Sequence, residues 1–274
     1  MTSQVSQTDR RELENKLNDL PGKEWIQFTK SWFILNPAPR KAKMLHPASF
    51  PEELAEEFIQ FFTKENQWVI DPFAGTASTL VAAKNLNRNS VGIELYSDYV
   101  SWAEKRLKSL DNSGPATVMI QADSRHLKDE LLKRGLQKMD FCITSPPYWN
   151  QLKRSSERQK IRHISGMRTI YGDCEKDLSA IEDYGEFLSQ LEIVFDNVYD
   201  IMSYGSYLVV VTNNIYAEGR IWPLAFDTFN MLSKRWTPKD ERIWCQNDKK
   251  LFPFGMFHSY VGNRSHHYCL VFKK

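Results

Sequence analysis

The sequence predicts an α/β fold, with helices on both faces of a mostly parallel sheet. Three observations carry that expectation. Trp68-Val69-Ile70 is a short apolar run followed by a turn of small residues, Asp71 to Ala77, and an Ala-rich helical stretch, Ser78 to Lys84. About 20 residues beyond the turn, Ser90-Val91-Gly92-Ile93-Glu94 is a second apolar run ending in a carboxylate. Met139 to Ile143 is a further apolar run, broken only by Asp140, and it ends in Thr144-Ser145-Pro146-Pro147-Tyr148-Trp149. Strands alternating with helical patterns make βαβ units, and βαβ units make parallel sheets.

At 274 residues the chain can bury one substantial core. We expect two parts: an N-terminal extension over 1–43, helical and loop, and a main domain over 44–274 with a basic insertion at about 150–180. Residues 1–20 are hydrophilic, with no apolar signal-peptide core, and no run approaches the ~18 apolar residues of a membrane span. A soluble, unexported, cytoplasmic protein is expected. Trp25, Ile26, Phe28, Trp32, Phe33 and Ile34 recur at roughly helical spacing and predict an aromatic face that docks on the main domain. Asn36 to Lys43 reads as a solvated, linker-like loop.

Pro51 followed by Glu52 and Glu53 opens a helix whose apolar side is Leu54, Phe58, Phe61 and Phe62. Val118 to Ala122 is a strand that closes on Asp123 and Ser124. Glu182 to Met202 is a long amphipathic helix, and Tyr207 to Val211 a buried strand behind the Gly205 turn. Gly219 to Leu232 reads as loop then helix. Glu241 to Gln246 and His267 to Phe272 read as the last strands.

Composition excludes several chemistries. The formal charge is +2, from 36 Lys and Arg against 34 Asp and Glu, so any surface for nucleic acid has to be local. Cys142, Cys174, Cys245 and Cys269 form no CxxC pair, which argues against zinc and disulfides. His266 and His267 are adjacent, and in an extended segment their rings face opposite ways, so no metal site is expected there.

The stretch Ser145 to Tyr148 has its own chemical logic. An exocyclic amine on a nucleobase is a poor nucleophile because its lone pair is delocalised into the ring. Two acceptors beside it, the Ser145 hydroxyl and the Pro146 carbonyl, favour the tetrahedral nitrogen as positive charge develops. Pro146 and Pro147 fix the turn in advance, and Tyr148 offers a face for stacking. A plain Pro-Pro turn with a core aromatic is the structural alternative.

Together, the Asp71-Pro72-Phe73-Ala74-Gly75 turn and the Ser145-Pro146-Pro147-Tyr148 clamp resemble the amino-methyltransferases that act on DNA. These S-adenosylmethionine-dependent enzymes carry an Asp-Pro-Phe-x-Gly turn and a Ser/Asp/Asn-Pro-Pro-Tyr clamp, and the resemblance extends from about Met44 onward. It implies a Rossmann-like class I methyltransferase fold with seven strands, the C-terminal one antiparallel. It also implies a cofactor site made of Ser49, Phe50, Asp71, Pro72, Phe73, Ala74, Gly75, Thr76, Glu94, Asp123 and Ser124. In that site Glu94 would hold ribose hydroxyls, Asp123 would accept from the adenine amine, and amides at the helix start would take the methionine carboxylate. Asp123 as a plain helix cap is the alternative. The sequence departs from the family at Ala77, where glycine is usual.

Ser145, Pro146, Pro147 and Tyr148 are the implied catalytic residues. Serine at the head of the clamp resembles the N4-cytosine members, whereas aspartate or asparagine is usual in the adenine-N6 members. The implied partner is double-stranded DNA with a flipped target base, alongside a cognate restriction endonuclease or a specificity subunit. From 151 to 170 there are six cations, Lys153, Arg154, Arg158, Lys160, Arg162 and Arg168, against one acid, Glu157. Placed directly beyond the clamp, they read as phosphate contacts, with a solvated loop as the alternative. Carbon-5 methylation is disfavoured because the chain has no Pro-Cys pair. Two other functions stay open: an adenine-N6 enzyme, and a cofactor-binding subunit that relies on a partner for DNA specificity.

Overall fold

The structure, a computed structural model, describes residues 15–36, 50–110, 114–149 and 176–274. In chain order its helices are α1 (Gly22–Phe28), α2 (Glu52–Phe62), α3 (Ser78–Asn85), α4 (Ser97–Lys108), α5 (Leu127–Leu132), α6 (Tyr184–Ile201) and α7 (Leu224–Leu232). The strands are β1 (Trp32–Ile34), β2 (Trp68–Asp71), β3 (Asn89–Glu94), β4 (Thr117–Gln121), β5 (Met139–Thr144), β6 (Met202–Thr212), β7 (Ile215–Ala217), β8 (Arg220–Trp222), β9 (Thr237–Cys245) and β10 (His266–Lys273).

Eight strands form one sheet in the order β1-β9-β10-β6-β5-β2-β3-β4. β2, β3, β4, β5 and β6 pair in parallel, and β10 runs antiparallel to both β6 and β9. This is the expected Rossmann-like sheet with one strand more than the seven predicted. The extra strand is β1, which pairs in parallel with β9 from Trp32↔Ile243 to Ile34↔Cys245. Helical spacing fails there because α1 stops at the Thr29 cap, and the aromatic and β-branched triplet Trp32-Phe33-Ile34 suits a strand. The triplet alternates in and out as a strand must, with only Phe33 turned partly inward.

Two apolar layers sandwich the sheet. On one face α5, α6 and α7 supply Leu131, Phe187, Leu191, Phe195 and Leu232. On the other, α1 and α2 supply an aromatic cluster in which Phe28 stacks on Phe61 with ring centroids 3.8 Å apart. The fully buried Arg242 anchors the extension to this layer. Its guanidinium lies 3.9 Å from the Phe28 ring centroid and 4.5 Å from that of Phe33, and it donates to Glu57 Oε1 at 3.1 Å. β7 and β8 form a separate hairpin where the sequence suggested a loop; three-residue strands carry too little periodicity to read.

The strand order reverses between β2 and β5. In an open parallel sheet such a reversal leaves a crevice at the carboxyl ends of the strands. The two motifs singled out in the sequence follow those two strands.

Candidate active site

β2 ends at Asp71 and β5 ends at Thr144, on neighbouring strands registered through Val69↔Phe141 and Ile70↔Cys142. Asp71 is buried and does not face the crevice. Its carboxylate accepts from the Thr79 hydroxyl at 2.6 Å, the Thr144 hydroxyl at 2.6 Å and the Phe73 amide at 3.0 Å. Burial raises its pKa, against the pull of these donors.

The turn is held just as tightly. The Ala74 amide donates to Ile93 O at 2.9 Å, the Gly75 amide to Glu94 Oε2 at 3.0 Å and the Ala77 amide to Ala74 O at 2.8 Å. With the Phe73 amide on Asp71, these backbone donors are already engaged within the protein. The expected anion site at the helix start therefore draws on the amides that open α3, Ser78 onward, and not on these four. Two hydroxyls at the same place, Thr76 Oγ1 and Ser78 Oγ, are buried with no hydrogen-bond partner; an incoming polar group would satisfy such orphans. Arg106, from α4, donates to Thr76 O at 2.8 Å and pairs with Glu52 at the start of α2.

Ala77 has φ +67° and ψ +35°, the left-handed conformation that makes glycine usual at this position. Gly92 on β3 allows the turn to approach closely. A Cβ there would lie 2.6 Å from Ala74 Cβ and 2.8 Å from Leu80 Cδ1.

Beside the turn opens a hollow of about 610 Å³, counted out to its solvent mouth. Pro72 and Phe73 from the turn, Glu94 at the end of β3, Asp123 and Ser124 after β4, and Ser145 and Pro147 from the clamp all line it. Thus four elements distant in sequence are brought together. Glu94 is buried, its two oxygens accepting from the amides of Gly75 at 3.0 Å and Tyr96 at 2.8 Å. Burial is the main cause that lifts its pKa to about 7, opposed by those amides. Asp123 caps the short 3-10 turn through the Arg125 amide at 2.9 Å and pairs with Arg125 Nη2 at 2.7 Å. Burial raises its pKa, but the Arg125 contacts outweigh it and hold the carboxyl below the ordinary range. The Ser124 hydroxyl donates to Pro72 O.

Sequence reasoning missed part of the wall. Ile93, Leu95, Tyr96, Lys176, Asp177 and Leu178 also line the hollow, and the Tyr96 hydroxyl donates to Asp177 Oδ2 at 2.8 Å across it. Tyr96 sits two residues beyond Glu94, a signal that was readable. Asp177 lies 81 residues further on and carried none. Ala74, Gly75 and Thr76 are not part of the wall, and Phe50 is buried in the α2 aromatic layer instead. Ser49, Lys153, Arg154, Arg158, Lys160, Arg162 and Arg168 lie outside the described residues.

In the clamp, Pro146 is buried while Ser145, Pro147 and Tyr148 are partly buried. Tyr148 is thus less exposed than the sequence suggested. Its hydroxyl is hydrogen-bonded to His267 Nδ1 at 3.1 Å, and His267 stacks on Trp244 with centroids 4.9 Å apart. Burial raises the Tyr148 pKa above its ordinary range, with a hydrogen bond from the Ser145 side chain acting the other way. Trp149 is anchored by its indole N–H, which donates to Glu182 O at 3.1 Å.

Comparison with known proteins bears on the first part of this site. The N6/N4 methyltransferase family model, described as DNA methylase, matches residues 1–105. The matched segment, 105 of the 274 residues, is similar to the N6/N4 DNA methylase family. It holds the Asp71 to Thr76 turn and Glu94, and it ends before Asp123 and the clamp. Curated relatives matched over part of the chain are named as methyltransferases. The type II methyltransferase M2.LlaDCHI of Lactococcus lactis subsp. cremoris is 44% identical over 62 residues, 23% of this chain and 23% of the relative. M.HinfI of Haemophilus influenzae is 41% identical over 70 residues, 26% of this chain and 20% of the relative. The chain therefore spans under a quarter of the length of these relatives. Among solved structures, a precorrin-6y C5,15-methyltransferase from Geobacter metallireducens is 15% identical, covering 86% of this chain and 94% of that one, with a TM-score of 0.49. Among the described residues, no helix is long and apolar enough to cross a membrane.

Proposed function

We propose that this chain transfers a methyl group from S-adenosylmethionine to the N4 atom of cytosine in DNA. The observation that carries the reading is the shared hollow. Ser145 and Pro147 of the clamp stand in one wall with Pro72, Phe73, Glu94 and Asp123 of the cofactor half.

The residues present fit the cofactor. Glu94 spends its oxygens on two amides yet keeps acceptor capacity for ribose hydroxyls, since a carboxylate offers about four lone-pair sites. Asp123 accepts from the Arg125 amide and guanidinium through both of its oxygens, so an adenine amine takes the place of one of these contacts, and Phe73, Tyr96 and Leu178 supply apolar walls for a planar ring. The partnerless hydroxyls of Thr76 and Ser78 suit the polar amino-acid end. When bound, S-adenosylmethionine supplies the electrophilic methyl.

The protein's task is to present the amine. A cytosine flipped from the duplex stacks against Tyr148 and donates its amine hydrogens to Ser145 Oγ and Pro146 O. These acceptors draw the nitrogen towards a tetrahedral geometry and stabilise the positive charge that develops on it. The surplus proton leaves after attack, so no strong base is needed beforehand. Serine at the head of the clamp favours N4-cytosine as the target. The six cations from Lys153 to Arg168 contact phosphates around the flipped base, and a cognate endonuclease is the natural partner of such an activity.

The test is direct. Purified protein is incubated with labelled cofactor and mixed-sequence duplex DNA, and the digested product is analysed by nucleoside mass. N4-methylcytosine is the expected product. N6-methyladenine would move the target to adenine, and cofactor binding without transfer would reduce the chain to a cofactor-binding subunit.

A further inference from the structure

The irregular segment between β9 and β10, residues 246–265, groups large apolar side chains in solvent. Leu251, Phe254, Met256, Phe257 and Tyr260 are all exposed, Phe257 at 91% and Tyr260 at 95%. Such a group marks a contact surface, and irregular connections of this length are uncommon inside a domain except as binding loops. The sheet fixes where the loop stands. β6 and β9 are both antiparallel to β10, so they run the same way, and β5 is parallel to β6. The loop therefore leaves the sheet at the edge that carries the clamp. Its base is closed by the Gln246 amide on Ser265 O at 2.7 Å, and His267, just inside β10, meets the Tyr148 hydroxyl through Nδ1 at 3.1 Å.

The loop is braced from within. The Asn263 side chain accepts from the Phe252 amide at 2.9 Å and donates to its carbonyl at 2.8 Å, and the Phe252 and Phe254 rings stack with centroids 5.7 Å apart. The amides of His258 and Ser259 both donate to Gly255 O, at 2.9 and 2.8 Å. A Cβ at Gly255 would lie 2.4 Å from Ser259 O, so the turn closes only on glycine. This turn holds Phe257 at φ +68°, a conformation that is costly for a bulky residue. With its ring in solvent, burial offsets little of that cost in the free protein. A partner that covers the ring would.

Charge indicates the partner. Residues 246–265 carry Lys249, Lys250 and Arg264 against a single acid, Asp248, in a chain whose formal charge is only +2. Exposed aromatic rings among cations suit a polyanion built on a stack of planar bases. We propose that the β9–β10 loop is a contact for duplex DNA, in which the Phe257 ring enters the base stack at the flipped site while Lys250 and Arg264 hold the adjoining phosphates. The inference rests on the proposed methyl transfer to a flipped base, and it adds what that step requires of the duplex. A base drawn into the hollow leaves its neighbours without a stacking face, and an inserted apolar ring restores one.

The test measures binding of the full chain, with S-adenosylhomocysteine present, to a labelled duplex containing a site that the wild-type protein methylates, and to the corresponding single strand. Phe257→Ala should weaken duplex binding about tenfold, the worth of one base–aromatic stack. Its thermal midpoint and the salt dependence of binding should stay as in the wild type, and single-strand affinity should change less than twofold, because a single strand has no gap to fill. Phe257→Trp, which keeps a stacking face, should retain duplex binding. Lys250→Gln with Arg264→Gln should instead flatten the salt slope by about one for each phosphate no longer neutralised. Tyr204→Ala is the control, since Tyr204 is 94% exposed near the start of β6, at the opposite edge of the sheet; it should alter neither affinity. Wild-type duplex affinity in Phe257→Ala, or an equal loss on single and double strands, overturns the inference and leaves the methyl transfer standing. A wild-type protein that neither binds nor methylates DNA removes the proposed function and this inference with it.

Discussion

The Asp71 carboxylate accepts a hydrogen bond from the Thr144 hydroxyl at 2.6 Å, and this contact joins the turn after β2 to the last strand residue before the clamp. The same carboxylate holds Thr79 of α3 and the Phe73 amide. The turn after β2 and the strand that leads into the clamp thus share one buried anchor, while Glu94 and Asp123 line the hollow.

Thr144→Val keeps the shape and removes the hydroxyl, leaving the buried carboxylate one donor short. The expected cost is about 1–3 kcal/mol of stability, read from denaturant unfolding. Turnover should fall more than cofactor affinity, because Thr144 adjoins the clamp and not the adenosine wall. An equal loss in both would show that the anchor serves the cofactor site alone.

As the proposed ribose ligand, Glu94 should make cofactor binding depend on pH. With a pKa of about 7 in the free protein, roughly a tenth of it is ionised at pH 6 and about nine-tenths at pH 8. Ribose hydroxyls donate to the charged form, so affinity for S-adenosylhomocysteine should rise about tenfold from pH 6 to pH 8 in calorimetric titrations. Glu94→Gln should flatten the profile. The stability effect has the opposite sense. A carboxyl whose folded pKa is raised above its unfolded value favours the fold below the unfolded pKa, and that contribution is lost as pH rises through about 7.

Much of the sheet was legible because its strands are short apolar runs bounded by turn residues. Trp68 to Asp71, Ser90 to Glu94 and Met139 to Thr144 are buried along most of their length, a pattern that needs no partner to be read. β1, β7 and β8 were not legible, since each is three residues long and owes its state to pairing. Within the site, the residues at strand tips were readable and their tethers were not. Tyr148 meets His267 across 119 residues, and Tyr96 meets Asp177 across 81; only the fold creates such neighbours. The turn was legible in outline, but not the inward hydrogen bonds of its Phe73, Ala74, Gly75 and Ala77 amides.

The turn's backbone can be tested by a pair of opposite substitutions. Ala77→Gly relieves a left-handed alanine and should raise stability by up to about 1 kcal/mol, less the loss of a buried methyl. Gly92→Ala places a methyl 2.6 Å from Ala74 Cβ and should cost about 1–3 kcal/mol. Thermal unfolding of both variants checks the signs. A stabilising Gly92→Ala would mean that α3 can retreat from β3 without cost.

Replacing Lys153, Arg154 and Arg158 together with glutamine removes three of the six cations between 151 and 170. If these touch phosphates, DNA affinity falls, and the slope of log affinity against log salt flattens by about one for each phosphate no longer neutralised. Filter binding at several salt concentrations measures the slope. An unaltered slope moves the phosphate-binding surface elsewhere on the protein.

Tyr148→Ala separates stacking from cofactor binding. The ring packs against the core beside the clamp, while the proposed adenosine wall is built from Glu94, Asp123 and Tyr96. Loss of the ring removes the proposed base stacking, worth about 1–3 kcal/mol. Single-turnover methylation should therefore slow by at least tenfold, whereas S-adenosylhomocysteine affinity should change less than twofold. A loss of cofactor affinity as large as the loss of rate would mean that Tyr148 supports the whole hollow, and the stacking role would have to be given up.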